Sequence, residues 1–126
     1  NLLVIIVGAL WQSARLLKQF RPDLVVGTGG YVSWPVLKMA ATLGIITVLQ
    51  EQNSYPGMAT QSGAKKAKRI YLGFEDARKY LPDNANMVMS GNPVRNEIGH
   101  GSKQKAIEQF KLDANKKTIL VLGGSQ

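Results

Sequence analysis

The chain has no cysteine and only one histidine in 126 residues. Without thiols there is no disulfide, no thiol nucleophile and no cysteine-ligated metal. The single histidine, His100, lies in Gly99-His100-Gly101-Ser102 with no evident partner, and reads as a solvated linker residue rather than a catalytic base. Acidic residues are scarce: 8, against 16 lysines and arginines, leaving a formal net charge of +8. Such a surplus suits an anionic partner, whether nucleic acid, acidic lipid or a phosphorylated substrate. The basic residues are dispersed except for Lys65-Lys66-Ala67-Lys68-Arg69, which reads as a solvated helix face. A long hydrophobic run is lacking too. Asn1 to Leu10 is nearly all apolar, but it is too short to span a bilayer, and Gln12, Arg15 and Lys18 follow it. A signal peptide carries its charge before the apolar stretch, not after it. No internal repeat or low-complexity segment is present.

What is present begins with glycine. Gly27-Thr28-Gly29-Gly30-Tyr31-Val32-Ser33 follows the apolar run Leu24-Val25-Val26 and precedes a helix-forming stretch. Strand, glycine-rich turn and helix make the layout of an anion-binding loop: glycine reaches φ > 0, and free N–H groups at the helix start face a phosphate. A plain tight turn uses the same residues. A second such turn, Gly123-Gly124-Ser125-Gln126, closes the chain after Thr118-Ile119-Leu120-Val121-Leu122. The chain starts at Asn1 and stops in that glycine turn, so a piece of a longer protein is expected.

Taken in order, Leu2 to Val7 reads as a strand by composition alone, but Leu3, Ile6, Leu10, Ala14 and Leu17 recur at helical spacing, favouring a helix that ends near Phe20 because Pro22 disfavours helical geometry at Arg21. Trp11, Arg15 and Lys18 share one side of it. An aromatic with basic neighbours beside an apolar stripe suits an anionic membrane surface, and equally a core-facing helix with a solvated basic edge. After the first glycine loop, Pro35 opens a helix with Val36, Leu37, Ala40, Ala41 and Leu43 inward, stopped by Gly44. Ile45 to Leu49 reads as a buried parallel strand. Gln50-Glu51-Gln52-Asn53 follows, polar and therefore expected outside the core, where open α/β sheets bind ligands beyond the strand carboxyl ends. Glu51 and Asn53 are candidates for orienting sugar hydroxyls; alternatively Asn53 or Ser54 caps the next helix. That helix is predicted over Gly57 to Lys68. A short strand Arg69 to Leu72, a helical turn or two over Glu75 to Tyr80, and a strand Asn86 to Ser90 come next. In the turn Gly91-Asn92-Pro93-Val94-Arg95, Arg95 is placed to pair with a diphosphate or simply to hold the turn. Gly99 to Ser102 reads as a linker, Lys103 to Leu112 as an amphipathic helix with Ala106, Ile107 and Phe110 inward, and Thr118 to Leu122 as a strand. Strand–helix alternation predicts a parallel, doubly wound α/β sheet, with a hinge near residues 96–102.

The four stretches Gly27–Ser33, Gln50–Asn53, Gly91–Arg95 and Gly123–Gln126, in this order and spacing, closely resemble the MurG family of peptidoglycan N-acetylglucosaminyltransferases. The resemblance covers essentially the whole chain. It implies a Rossmann-like parallel sheet within a two-domain GT-B fold. Residues 1–98 would be the later part of the N-terminal, acceptor-side domain. Residues 99–126 would be the hinge and the first helix and strand of the donor-binding domain. The implied reaction moves N-acetylglucosamine from UDP-N-acetylglucosamine to the muramyl 4-hydroxyl of lipid I, the undecaprenyl diphosphate-linked acceptor, with inversion, forming lipid II. No cofactor is implied, and no metal: the DxD pattern is absent, as suits this fold. The implied partners are the donor, lipid I and an anionic membrane surface, on the cytoplasmic face of a bacterial membrane, with no nucleic acid. Other readings are a different GT-B enzyme of UDP-sugars, or a non-catalytic nucleotide-binding module.

Position by position, Asn53, Arg95 and Ser125 match family residues that contact the nucleotide-sugar. Gly27, Thr28, Gly29, Gly30 and Tyr31 match the loop assigned to the acceptor diphosphate. Glu51 matches a position near the sugar and is the catalytic candidate here; no other residue matches a catalytic role. Two departures stand out: Gln50 replaces the usual His, and Trp34 a common Gly. The family's first glycine loop, with its histidine, and its uridine pocket fall outside these residues, so they are not expected to catalyse alone.

Overall fold

In a computed structural model of the chain, residues 1–121 are described. The chain divides into two compact units, Asn1–Pro93 and Val94–Gln126.

The first unit is a four-stranded parallel sheet with helices. Helix α1 (Leu2–Phe20) is helical from Leu2, with no strand over Leu2 to Val7, and ends as the sequence requires: Arg21, forced out of helical geometry by Pro22, is left-handed at φ 51° and donates its N–H to the Leu17 carbonyl. Strand β1 (Leu24–Gly27) leads through the glycine loop into α2 (Ser33–Thr42), which packs against α1. Then follow β2 (Ile46–Glu51), α3 (Met58–Gly63), β3 (Arg69–Leu72), a 3₁₀ helix Glu75–Tyr80 and β4 (Met87–Met89). The strand order is β1-β2-β3-β4, every neighbouring pair parallel.

That order never reverses among the described residues, so these strands are not doubly wound. The connecting helices lie over one face, as a constant crossover hand requires when strands are laid down sequentially. Under them sits the core: Leu37, Leu49, Ala64, Ile70, Leu72, Ala77 and Leu81. The opposite face is open. Leu24, Val26 and Ile46 are each about half exposed there, although Ile45 to Leu49 reads by composition as buried on both sides. Burial alternates along β2 for that reason, with Thr47, Leu49 and Glu51 inward. Gly27 is set by packing rather than by φ: a β-carbon there would come within 2.6 Å of a Leu37 methyl. Helix α3 stops at Gly63, short of the predicted Lys68; a turn takes Lys65 and Lys66, and Arg69 already belongs to β3.

In the second unit, α4 (Lys103–Phe110) is capped by Ser102, whose hydroxyl accepts the Lys105 N–H at 3.4 Å. Ala106 and Ile107 are partly covered, but Phe110 is 65% exposed rather than inward. Thr118 to Val121 forms no strand, because a strand needs a neighbour and the described residues of this unit supply no second extended segment.

Candidate functional site

Parallel strands bring all their carboxyl ends to one edge of the sheet, so the loops after β1, β2, β3 and β4 emerge side by side. In the first loop, Gly29 and Gly30 sit at φ 88° and 75°, a region closed to most side chains. Their turn carries Tyr31, 85% exposed, to the start of α2, where Ser33 closes back on the Gly30 carbonyl through its N–H and its hydroxyl. Trp34 turns toward α3 and donates its indole N–H to Ser62 at 3.0 Å. The indole is thus tied to the neighbouring helix. An apolar cavity of about 650 Å³ lies between this loop and α1, lined by Ile5, Ala9, Leu16, Tyr31 and Val32 among others.

The second loop is organised by Glu51. The strand continues through Gln50 and Glu51, and Glu51 is only 1% exposed, although four polar residues beyond an apolar strand are expected outside the core. A buried carboxylate is tolerated when donors surround it. Here one oxygen, Oε1, accepts both the backbone N–H and the side-chain amide N–H of Asn53, each at 3.0 Å, and Oε2 accepts the Gly57 N–H at 3.1 Å. The loop from Gln52 to Gly57 is therefore wrapped around one side chain. Asn53 stands exposed at its crest, and neither it nor Ser54 caps α3, which begins beyond Gly57 without a side-chain cap. Tyr55 meets Tyr80 edge to face, with centroids 4.6 Å apart, tying the loop to the 3₁₀ helix.

The fourth loop reaches back over the third. Asn92 donates its side-chain N–H to the Gln52 carbonyl at 3.1 Å, and Gln50 donates to the Gly91 carbonyl at 3.4 Å. The Asn92 amide can take that path only because Gly73, after β3, has no side chain. A β-carbon at Gly73 would lie 2.1 Å from the Asn92 oxygen. On the other side, Gln52 Oε1 lies 3.5 Å from where a β-carbon on Gly29 would sit. Gln52 thus stands between the glycine loop and the Asn92 turn, and the three loops form one continuous rim.

Of the residues singled out by sequence, Gly27 to Tyr31, Glu51 and Asn53 share this edge of the first unit. Arg95 belongs to the second unit, exposed, its carbonyl accepting the Ile98 N–H at 3.0 Å. Ser125 lies outside the described residues. Gln52 and Asn92 lie in the singled-out stretches but were given no role there, and Gly57 and Gly73 were given none either; a glycine directly after β3 was the hint for Gly73. No group of three or more His, Asp or Glu fit to hold a metal occurs among the described residues. Away from the rim, on the exposed 3₁₀ helix, a hydrogen bond from Lys79 holds Asp76 below its ordinary range.

On α1, the Arg15 guanidinium stacks over the Trp11 ring 5.7 Å from its centroid, and Lys18 lines the same shallow groove. Leu2, Leu3, Val4, Ile5 and Val7 are exposed in the first half of this helix; although the run Asn1 to Leu10 is by itself too short to span a bilayer, the whole helix is long and apolar enough to cross one by length and composition alone.

Comparisons with known proteins agree with this architecture. The profile of the glycosyltransferase family 28 N-terminal domain matches residues 3–72. A UDP-N-acetylglucosamine--N-acetylmuramyl-(pentapeptide) pyrophosphoryl-undecaprenol N-acetylglucosamine transferase of Flavobacterium psychrophilum is 48% identical over 122 residues, covering 95% of this chain and 33% of its own length. A protein of the same name from Bacteroides fragilis is 43% identical, with 95% and 32% covered. The crystal structure of Acinetobacter baumannii MurG superposes with a TM-score of 0.60 at 31% identity, over 71% of this chain and 25% of that one. The chain thus spans about a third of the length of the curated relatives it matches.

Proposed function

We propose, from the premise that this chain belongs to glycosyltransferase family 28, that it is part of an enzyme transferring N-acetylglucosamine from UDP-N-acetylglucosamine to the muramyl 4-hydroxyl of lipid I. The observation that supports this best is the rim itself: a glycine loop with two positive-φ residues beside a fixed, exposed asparagine on one sheet edge. An anionic acceptor group needs the first, and a sugar hydroxyl needs the second.

In this reading the Gly27–Tyr31 loop and the start of α2 receive the acceptor diphosphate through backbone N–H groups and the helix dipole. Asn53 hydrogen-bonds a hydroxyl of the transferred sugar. Arg95 and Ser125 hold the donor diphosphate, whose charge grows as the bond to the anomeric carbon breaks and UDP departs. Attack by the acceptor oxygen from the opposite side, its proton passing to a general base as the bond to UDP breaks, inverts the configuration and needs no metal in this reading. Residues 99–126 then begin the donor-binding domain of a GT-B enzyme. The test is a transfer assay with the complete protein, a radiolabelled donor and a lipid I analogue. Label should move to the lipid from UDP-N-acetylglucosamine and not from UDP-glucose. Transfer only to another acceptor would point to a different UDP-sugar enzyme, and nucleotide binding without any transfer to a binding module.

We further propose that the first half of α1 and the Trp11–Arg15–Lys18 side rest on the cytoplasmic face of an anionic membrane, where the lipid-linked acceptor resides. Exposed apolar residues beside two cations suit an interfacial helix. With the complete protein, flotation on vesicles containing phosphatidylglycerol should exceed that on neutral vesicles and fall as salt rises. Arg15→Glu with Lys18→Glu should weaken it by roughly tenfold or more, at about 1 kcal/mol for each charge removed near the surface. Unchanged binding of this variant to the phosphatidylglycerol vesicles would exclude the electrostatic part.

A further inference from the structure

We propose that Glu51 is a positioning residue: its buried carboxylate fixes the Asn53 side-chain amide so that Oδ1 faces outward as an acceptor for a sugar hydroxyl. The inference rests on the reading that Asn53 meets the donor sugar, and deepens it by saying what that side chain offers.

The reasoning is one of donors and acceptors. An ionised carboxylate can only accept. Asn53 has an N–H face and a carbonyl face, and Glu51 Oε1 stands 3.0 Å from its Nδ2. The opposite rotamer would set the amide oxygen against that carboxylate oxygen, two acceptors with no proton between them. The amide is therefore locked with its N–H inward and Oδ1 away from Glu51. The same carboxylate holds the Asn53 backbone N–H and, through Oε2, the Gly57 N–H, so the residue's backbone is fixed as well as its side chain. On the far side, Asn92 holds the Gln52 carbonyl, one residue before Asn53. An exposed side chain is thus made rigid from beneath, and the ordering entropy is met in folding rather than at binding. The chemistry selected is an O–H donor; a ligand presenting an ether or carbonyl oxygen there meets oxygen with oxygen.

This arrangement distinguishes Glu51 from a general base. At 1% exposure, with both oxygens engaged, its carboxylate has no free path to a substrate proton.

A double-mutant cycle on the complete enzyme tests this. Asn53→Ala is expected to lower kcat/KM on the order of tenfold or more. Glu51→Gln keeps the shape but offers an N–H in place of one acceptor. It should lower kcat/KM alone and cost little further in the Asn53→Ala background, because its effect runs through Asn53. The kcat/KM pH profile of Glu51→Gln should keep its wild-type form. Full multiplication of the two effects, or loss of the acidic limb, would overturn the positioning role. An Asn53→Ala enzyme of unchanged activity would instead overturn the reading that Asn53 touches substrate, and this inference with it. Should Glu51→Gln fold poorly, Glu51→Asp serves in the same cycle: it keeps the charge and withdraws the acceptor by one methylene.

Discussion

Leu49→Ala is expected to destabilise the first unit by about 3 kcal/mol. Leu49 is 1% exposed on the central strand β2, and its methyls face the close-approach positions Gly27 and Gly63. Those neighbours are backbone. They cannot relax into the space as flexible side chains would, so the cavity stays open and the cost lies well above simple transfer. A loss of that size is roughly a hundredfold in the opening equilibrium. Hydrogen exchange of the β2 amides should quicken accordingly in the complete protein. Ile46→Ala, on the open face of the same strand and 50% exposed, should change exchange little. Equal effects from the two would mean that the helices do not cover the face described.

Arg95→Ala is expected to lower kcat/KM by roughly a hundredfold or more, if the residue carries diphosphate charge in the transition state. No ion pair claims its side chain among the described residues: the three salt bridges are Glu75–Arg78, Asp76–Lys79 and Asp113–Lys116. Folding should thus be spared, and circular dichroism should match the wild type. Arg95→Lys should recover only part of the loss, because a lysine keeps the charge without the bidentate fork. A fall confined to KM, with kcat intact, would place Arg95 in ground-state binding instead.

The sequence carried the local features well and the tertiary ones poorly. The end of helix α1 was legible because periodicity and Pro22 act within a few positions, whereas its start also read as a strand. The glycine loop was legible for the same reason, although Gly27 serves packing under Leu37 and not backbone freedom. Glu51 was misjudged as an outside residue because polarity is a local property, whereas its burial depends on donors from Asn53 and Gly57. Asn92 reaches Gln52 across 40 positions, and only the fold shows that Gly73 leaves it room. Phe110 and Thr118–Val121 read as a core residue and a strand, yet both readings need packing partners that the described residues do not provide. The one-way winding was missed since alternation reports helices between strands, not the face they occupy.

The most direct test is a crystal structure of the complete protein with UDP-N-acetylglucosamine. A hydroxyl of the sugar should lie within hydrogen-bond distance of Asn53 Oδ1 while Nδ2 remains on Glu51, with the diphosphate against Arg95. A donor bound away from Asn53, or an Asn53 amide turned so that its nitrogen meets the sugar, would contradict it.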